Sequence, residues 1–319
     1  MILVMMQIMN IMESLNERVQ ELGCAVCVGM DPRFSGKARI PDYLLEEHDN
    51  DHNSTILEFN VRILEAVGDI VPVIKPQFAY YEARDALDAL KQTIQKAKNK
   101  GILVILDAKM NDIGSTSQAY ATAAFDVLGA DMVTVNGYLG TDCVKPFLKR
   151  EDNGIFILVK TSNPSSIEFQ DLFSVNIGDI DASKMATTIS GQKITLERNY
   201  MKMARLVNLW NDEYRSQSEK FGPTGAVIGA TFPTQLKELR RFMPDSMFLI
   251  PGFGAQGGTA KDVKPGFHDD GSGAVVNSSR GLLYAYEKSE IHACAPENFE
   301  NATRNELMMM KDAIEKVRS

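Results

Sequence analysis

A short segment with three charged side chains follows a strongly apolar run. Gly101-Ile102-Leu103-Val104-Ile105-Leu106 is typical of a fully buried β-strand. Asp107, Lys109 and Asp112 come directly after it. If the strand continues past Leu106, Asp107 and Lys109 project from the same face, because side chains alternate along a strand. Two carboxylates would then flank one ammonium group, and such clusters persist mainly where shifted pKa values are used in chemistry.

The alternative for this segment is structural. A lone Asp-x-Lys favours a salt bridge at the end of a strand, followed by a helix that Ser115 or Thr116 caps. Here the density of charged groups at the mouth of a buried strand favours a functional site, because their desolvation is costly.

The spacing Asp-x-Lys-x-x-Asp-Ile-x-x-Thr resembles the central motif of the orotidine 5′-phosphate decarboxylase family, and five positions agree at fixed offsets. In this sequence they are Asp107, Lys109, Asp112, Ile113 and Thr116. The resemblance implies decarboxylation of orotidine 5′-phosphate to uridine 5′-phosphate in pyrimidine nucleotide synthesis. It implies neither a metal nor an organic cofactor, and the four histidines have no metal-ligand spacing.

Two earlier apolar runs also end in polar residues. Cys24 to Met30 ends at Asp31, and Ile70 to Ile74 leads to Lys75. Commonly such an Asp is a turn residue and such a Lys extends to solvent. The resemblance instead assigns Asp31 to the ribose hydroxyls and Lys75 to a Lys-Asp-Lys-Asp catalytic array. Gln77 is a weaker candidate for contact with the substrate.

A fifth apolar run, Gly154 to Lys160, ends in hydroxyl and amide side chains. They could simply cap the next helix. The resemblance places a Ser or Thr of this segment against the pyrimidine edge. Thr161 and Ser162 are both candidates, and the sequence does not choose between them.

A glycine-rich segment, Gly252 to Gly258, contains G-x-G-x-x-G. As a dinucleotide-binding motif it is weak, because the downstream acidic pair Asp269-Asp270 lies in a loop before the next strand instead of at the end of one. In a barrel, the backbone N–H groups after strands seven and eight cradle a phosphate. The resemblance implies phosphate contacts from three residues, and these are Gln256, Arg280 and Gly281.

Eight apolar runs, each followed by a helical pattern, predict a (β/α)8 barrel in a chain of 319 residues. A doubly wound sheet is the competing fold, but polar residues follow nearly every strand, as a ring of loops at one barrel face requires. The predicted strands start at Cys24, Ile70, Gly101, Asp131, Gly154, Gly225, Ser246 and Gly273.

Residues 1–10 are predicted to be a dispensable extension before a single catalytic domain, 11–319, with room for an insertion around 165–221. Ser14 and Glu17 have the capping-box spacing of a helix start. Tyr80 to Lys100 is predicted to form one amphipathic helix.

A net charge of −8 argues against general binding of nucleic acid or an anionic membrane. Four scattered cysteines fit a reducing, cytoplasmic setting. The apolar start is far too short to span a membrane.

The resemblance also implies a homodimer with shared active sites, in which Asp112, Ile113 and Thr116 cross into the neighbour's site. Two other functions remain open. One is a metal-dependent sugar-phosphate decarboxylase or aldol enzyme on the same barrel, and the other is a catalytically inactive barrel that binds a phosphate ligand.

Overall fold

The computed structural model describes residues 9–176, 195–288 and 295–318. Eight parallel strands close into a barrel, in which each strand pairs with its neighbours in the order of the sequence and the last pairs with the first. The barrel strands are β1 Val26–Met30, β2 Val73–Pro76, β3 Leu103–Met110, β4 Met132–Val135, β5 Gly154–Lys160, β8 Thr224–Ile228, β9 Phe248–Pro251 and β10 Ala274–Ser278. The predicted (β/α)8 barrel is confirmed.

Every predicted strand start lies within three residues of the observed one. The prediction worked because these strands are covered on both faces, so their sequences are continuous apolar runs. All five residues of β1 and of β10 are buried. The carboxyl ends of the eight strands open on one face of the barrel, where the polar residues of the loops meet.

Helices surround the barrel; the first precedes the first strand, and the others follow strands. They are α1 Ile11–Leu22, α2 Asp42–Glu47, α3 His52–Val67, α4 Phe78–Glu82, α5 Leu87–Asn99, α6 Gly114–Thr122, α7 Thr141–Leu148, α8 Asn199–Tyr214, α9 Pro233–Phe242, α10 Ala260–Val263, α11 Arg280–Leu283 and α12 Phe299–Arg318. A π-helical turn, Ala123–Val127, continues α6. Within the described ranges, none of these helices has the length and apolar character needed to cross a membrane.

Two helix predictions were wrong in detail. The segment from Tyr80 to Lys100 forms two helices, α4 and α5, because the chain turns between them with Asp85 in the left-handed region at φ 52°. Helix α1 starts before the predicted capping box at Ser14. Its N-cap is Asn10, whose side-chain oxygen accepts hydrogen bonds from the backbone N–H groups of Met12 and Glu13.

Between β5 and α8 the chain leaves the barrel. The strands β6 Phe173–Asn176 and β7 Thr195–Arg198 form a separate two-stranded antiparallel sheet, in which Phe173 lies opposite Arg198. Residues 177–194 between these strands lie outside the described ranges. This small sheet falls within the interval where the sequence left room for an insertion.

Asn10 ties the start of α1 to the barrel. In addition to capping the helix, its amide nitrogen donates a hydrogen bond of 2.8 Å to the carbonyl oxygen of Phe221, and the side chain is buried. The sequence placed Asn10 in the extension, but these contacts make it part of the folded domain.

We expect Asn10→Ala to lower the free energy of unfolding by about 2 kcal/mol, because it removes a helix cap and leaves the Phe221 carbonyl without its donor. Urea unfolding followed by circular dichroism measures this change. Asn99→Ala, at the exposed end of α5, is the matched control and should change stability by less than about 0.5 kcal/mol. Equal losses in the two variants would contradict the role of Asn10.

Candidate active site

The carboxylate of Asp107 lies between two ammonium groups at the carboxyl end of β3. Lys75 Nζ donates to Asp107 Oδ2 at 2.7 Å, and Lys109 Nζ donates to Asp107 Oδ1 at 2.6 Å. Thr134, from the neighbouring strand β4, donates its hydroxyl to Asp107 Oδ1 at 2.9 Å. Asp107 and Lys75 are buried, whereas the side chain of Lys109 is 46% exposed and faces the opening. Three strands therefore build one charged cluster.

The charges in this cluster stabilise one another. Burial alone would raise the pKa of Asp107, but Lys75 and Lys109 outweigh burial and hold that pKa well below its usual range. Burial alone would lower the pKa of Lys75, but the carboxylates of Asp107 and Asp31 raise it above its usual range. Both Asp107 and Lys75 are therefore ionised at neutral pH.

The backbone of β3 is irregular where Lys109 projects. The pairing of β3 with β4 shifts register between Leu106 and Met110, and Lys109 lies in the left-handed region at φ 50°. A residue other than glycine pays about 1–3 kcal/mol for such a conformation. The N–H of Lys109 donates to Thr134 Oγ1 at 3.0 Å, so Thr134 holds both the strained backbone and the Asp107 carboxylate.

These charged groups lie in a cavity of about 520 Å³ at the carboxyl ends of the strands. Eight of the residues predicted from the sequence line it, and they are Asp31, Lys75, Asp107, Lys109, Thr161, Ser162, Gln256 and Arg280. Residues from the first, second, third, fifth, seventh and eighth barrel strands or their loops thus meet at one place.

Two buried oxygens in the cavity wall lack hydrogen-bond donors. Asp31 Oδ1 and Asn277 Oδ1 are shielded from solvent, and neither has a partner within the described ranges. Burial raises the pKa of Asp31, and the ammonium group of Lys75 opposes this. Since buried polar atoms are normally paired, these two oxygens are suited to accept hydrogen bonds from the hydroxyl groups of a ligand.

The rim of the cavity carries the candidate phosphate contacts. Gln256 lies in the glycine loop after β9, and the backbone of this loop folds on itself, since Gly254 N donates to Gly258 O at 2.8 Å. Gly252 at φ 101° and Gly257 at φ 92° need the freedom of glycine for this turn. Arg280 follows β10, is exposed, and has no carboxylate partner in the described part of the chain. A phosphate at this rim would meet an available guanidinium group.

The loop after β5 forms another wall of the cavity, and contacts of the buried Lys160 hold it in place. Lys160 is fully buried, and its Nζ lies 3.0 Å from both Asp171 Oδ1 and Ser166 Oγ. Gln170 binds the backbone N–H and the hydroxyl of Thr161. The hydroxyl of Thr161 is thus engaged within the loop, whereas the described residues offer the Ser162 hydroxyl no hydrogen bond.

Five predicted residues do not line the cavity. Gln77 caps α4, and its side-chain oxygen accepts from the N–H of Ala79. The carboxylate of Asp112 accepts from the N–H of Ile113, away from the Asp107 cluster. Ile113 and Thr116 are exposed, and Gly281 lies in the first turn of α11. The strand geometry that aims Asp107 and Lys109 inward ends before Asp112.

The cavity also contains residues that the sequence did not single out as site residues. The polar ones are Arg33, Thr134, Asn163, Gln170, Asn277, Ser278 and Ser279. The sequence could have indicated Thr134 and Asn277 as site residues, since each is a polar residue inside an otherwise apolar strand. The sequence could not have indicated Gln170, because the position of this residue depends on the path of the loop.

Comparisons with known proteins point to one family. Residues 25–293 match the family model described as "Orotidine 5'-phosphate decarboxylase / HUMPS family". The chain is similar to the orotidine 5′-phosphate decarboxylase of Rhodopirellula baltica, with 37% identity over 96% of this chain and 99% of that protein. The corresponding protein of Haloarcula marismortui is 38% identical over 88% of each chain. The structure of Leishmania donovani OMP decarboxylase superposes with a TM-score of 0.68 at 30% identity, covering 96% of this chain and 100% of that one.

The pairing of Asp107 makes stability depend on pH in the acidic range. Because its pKa is lower in the folded chain than the ordinary 3.8, its contribution is complete above about pH 4 and is lost as the pH falls towards the folded-state value. We expect Asp107→Asn to be less stable at pH 7 by about 3–5 kcal/mol, because Lys75 loses its partner. Its unfolding free energy should also fall less steeply between pH 5 and pH 2, by up to about 1.4 kcal/mol per pH unit.

Urea unfolding at several pH values measures both effects. The control is Asp212→Asn, which neutralises an exposed carboxylate on α8 that has no ion pair in the described part of the chain. An acid slope in Asp107→Asn as steep as that of the wild type would show that the carboxylate is not held ionised by its neighbours.

Proposed function

Because the chain belongs to the orotidine 5′-phosphate decarboxylase / HUMPS family, we propose that it decarboxylates orotidine 5′-phosphate to uridine 5′-phosphate in pyrimidine nucleotide synthesis. The observation that carries this proposal is the cluster of Lys75, Asp107 and Lys109 in a cavity whose rim holds the exposed Arg280. The reaction needs no cofactor in this proposal, because the ammonium group of Lys109 supplies the proton.

The wall residues are suited to the parts of this substrate. Asp31 and Asn277 have unpaired oxygens that can accept hydrogen bonds from the ribose hydroxyls. Arg280, Gln256 and the backbone N–H of Gly281 bind the phosphate, for which a planar guanidinium group is well matched. Ser162 contacts the pyrimidine edge in preference to Thr161, since the hydroxyl of Thr161 is already held by Gln170 and Asn163.

The chemical step is the breaking of the bond between carbon 6 of the pyrimidine and its carboxylate. The bonding electrons stay on carbon 6 as carbon dioxide leaves, and Lys109 Nζ then gives a proton to that carbon. The ammonium group of Lys109 faces the opening of the cavity. Its Nζ also donates a hydrogen bond of 2.6 Å to Asp107 Oδ1. Placing a cation where negative charge develops stabilises the transition state.

Repulsion between Asp107 and the departing carboxylate supplies only the smaller part of the reduction in the energy barrier. Two like charges 4 Å apart interact by about 4 kcal/mol at an effective dielectric constant of 20. Enzymes lower barriers by about 8–23 kcal/mol. The larger part must come from Lys109 at the reacting carbon and from binding energy at the distant phosphate.

We expect Lys109→Ala to lower kcat by ~10³-fold or more while uridine 5′-phosphate binds within a few-fold of wild type, because the lysine acts in the transition state. A spectrophotometric assay with orotidine 5′-phosphate measures turnover, and calorimetry measures product binding. Lys91→Ala, an exposed lysine on α5, is the control and should have wild-type activity. Substantial residual turnover in Lys109→Ala would remove Lys109 as the proton donor.

The same assay with and without chelator separates the alternatives. Unchanged activity in chelator supports the cofactor-independent reaction. Activity that is lost in chelator and restored by a divalent cation would indicate a metal-dependent sugar-phosphate enzyme. Tight binding of uridine 5′-phosphate without turnover in the wild type would indicate an inactive binding barrel.

The fourth member of the array comes from a second copy of the chain in our proposal. Asp112 lies outside the cavity of its own chain, and large apolar side chains are exposed in the loops after β3 and β4. Ile113 is 60% exposed and Tyr138 is 67% exposed, and both follow neighbouring barrel strands. These features support a homodimer in which Asp112, Ile113 and Thr116 reach the neighbour's site.

Mixing Lys109→Ala and Asp112→Ala chains in equal amounts should restore activity that each lacks alone. Half of the dimers would be mixed, and each would have one intact site, which gives about one quarter of wild-type activity. Size-exclusion chromatography and differently tagged chains verify the dimer and the exchange of subunits. Exchange without recovery of activity would place Asp112 in the site of its own chain.

A further inference from the structure

A second cavity, of about 680 Å³, lies at the opposite end of the barrel from the candidate active site. We call it the basal cavity. It is formed where α9 leads into β9, where the chain enters β10, and by the end of α12. Its basic lining residues are Lys237, Arg240, Arg241, Lys261, Lys264 and Arg318.

The charge of this cavity contrasts with that of the chain. The chain carries 34 basic and 42 acidic residues, yet the cavity has six basic lining residues and one acidic one, Asp269. His268 also lines it. A concentration of one sign of charge in a concave surface focuses the field and attracts ions of the opposite sign.

Four of these cations are not neutralised by the protein. Within the described part of the chain, no ion pair or hydrogen bond engages the side chains of Lys237, Arg241, Lys261 and Lys264. Three nearby acids have other partners, and one of these partners is the lining residue Arg318. Asp270 pairs with Lys220, Glu315 pairs with Arg318, and Asp262 caps α10 through Thr259.

Arg240 adds a fixed positive charge to the cavity wall. Its guanidinium group is buried and donates to the backbone carbonyls of Met243, Ser246, Gly266 and Gly273, and it lies 3.5 Å from the centre of the Phe248 ring. Burial lowers the pKa of Arg240 to about 9, so the group is still protonated at neutral pH. No carboxylate within the described ranges pairs with it.

The helix dipole explains only part of this arrangement. Arg240 and Arg241 lie in the last turn of α9, where basic residues are favoured. Lys261 and Lys264 belong to α10 and the turn after it, and Arg318 ends α12. Three separate segments therefore bring their cations to one concave site, and this convergence is not needed to stabilise any single helix.

We propose that the basal cavity binds a small polyanion that carries two or more phosphate groups. A single phosphate would neutralise only part of the unpaired charge, whereas linked phosphates can reach cations on both α9 and α10. A concave site of this volume suits a small molecule better than the backbone of a nucleic acid, which the overall charge of −8 also disfavours. The site is separate from the candidate active site and does not depend on its function.

The test is isothermal titration of the full chain with inorganic tripolyphosphate at about 0.15 M ionic strength, where weak surface attraction is screened. The chain should carry Arg280→Ala, so that the rim of the active site does not contribute. Orthophosphate should bind at least tenfold more weakly than tripolyphosphate. Adenosine triphosphate tests whether a nucleoside adds affinity, and tighter binding of it would identify a nucleotide as the form of the ligand.

The double variant Lys261→Gln, Lys264→Gln should weaken tripolyphosphate binding at least tenfold. The second double variant Lys237→Gln, Arg241→Gln should do the same from the other side of the cavity. The matched control Lys91→Gln, Lys96→Gln removes the same charge from exposed positions on α5 and should bind as the parent does. All six positions are exposed, and circular dichroism verifies folding.

Three results would overturn the proposal. They are a lack of saturable tripolyphosphate binding, an equal loss of affinity in the α5 control, and tighter binding of a short DNA duplex than of tripolyphosphate. The last result would redefine the surface as a nucleic-acid contact.

Discussion

The rest of the site depends on one interaction, the buried carboxylate of Asp107 held between the ammonium groups of Lys75 and Lys109. The two ammonium groups offset the cost of burying the carboxylate, and the carboxylate in turn offsets the cost of burying the ammonium group of Lys75. A substrate carboxylate would place a second negative charge near that of Asp107, whereas negative charge on carbon 6 would lie beside Lys109. In the proposed mechanism this difference favours the transition state over the bound substrate.

Holding this balance requires a rigid frame. The backbone at Lys109 is strained. A lysine keeps a left-handed backbone conformation only where the surrounding structure holds it there. Thr134 provides that constraint from the neighbouring strand, since it binds the N–H of Lys109 and the carboxylate of Asp107. On the other wall, the buried pair of Lys160 and Asp171 fixes the loop that carries Ser162. The charged groups are thus positioned by strands and anchored loops, which suits a reaction in which groups must already be in place.

The sequence predicted the barrel and most of the cavity for one physical reason. Buried parallel strands are continuous apolar runs, so the polar residues that follow each run mark the barrel mouth, and this drew attention to Asp31, Lys75, Asp107 and Arg280, whose roles the family resemblance implied. Gln77, the weaker candidate, serves as a helix cap and does not line the cavity. The rule also passed over Thr134 and Asn277, which face the cavity from within apolar strands. The position of Asp112 relative to a second chain cannot be obtained from either strand periodicity or a single chain.

The two ends of the barrel differ in the partners of their buried charged groups. At the carboxyl end, Lys75 is paired with a carboxylate, so its field is largely cancelled within the site. At the other end, Arg240 is bound by neutral carbonyls, which satisfy its N–H groups but leave its charge uncompensated. The carbonyls of Ser246 and Gly273 lie just before β9 and β10, and Gln256 and Arg280 follow the same two strands. The strands β9 and β10 therefore connect the two sites directly. If ligands at the two ends were coupled, the coupling would be reciprocal, because each ligand would change the affinity for the other by the same factor.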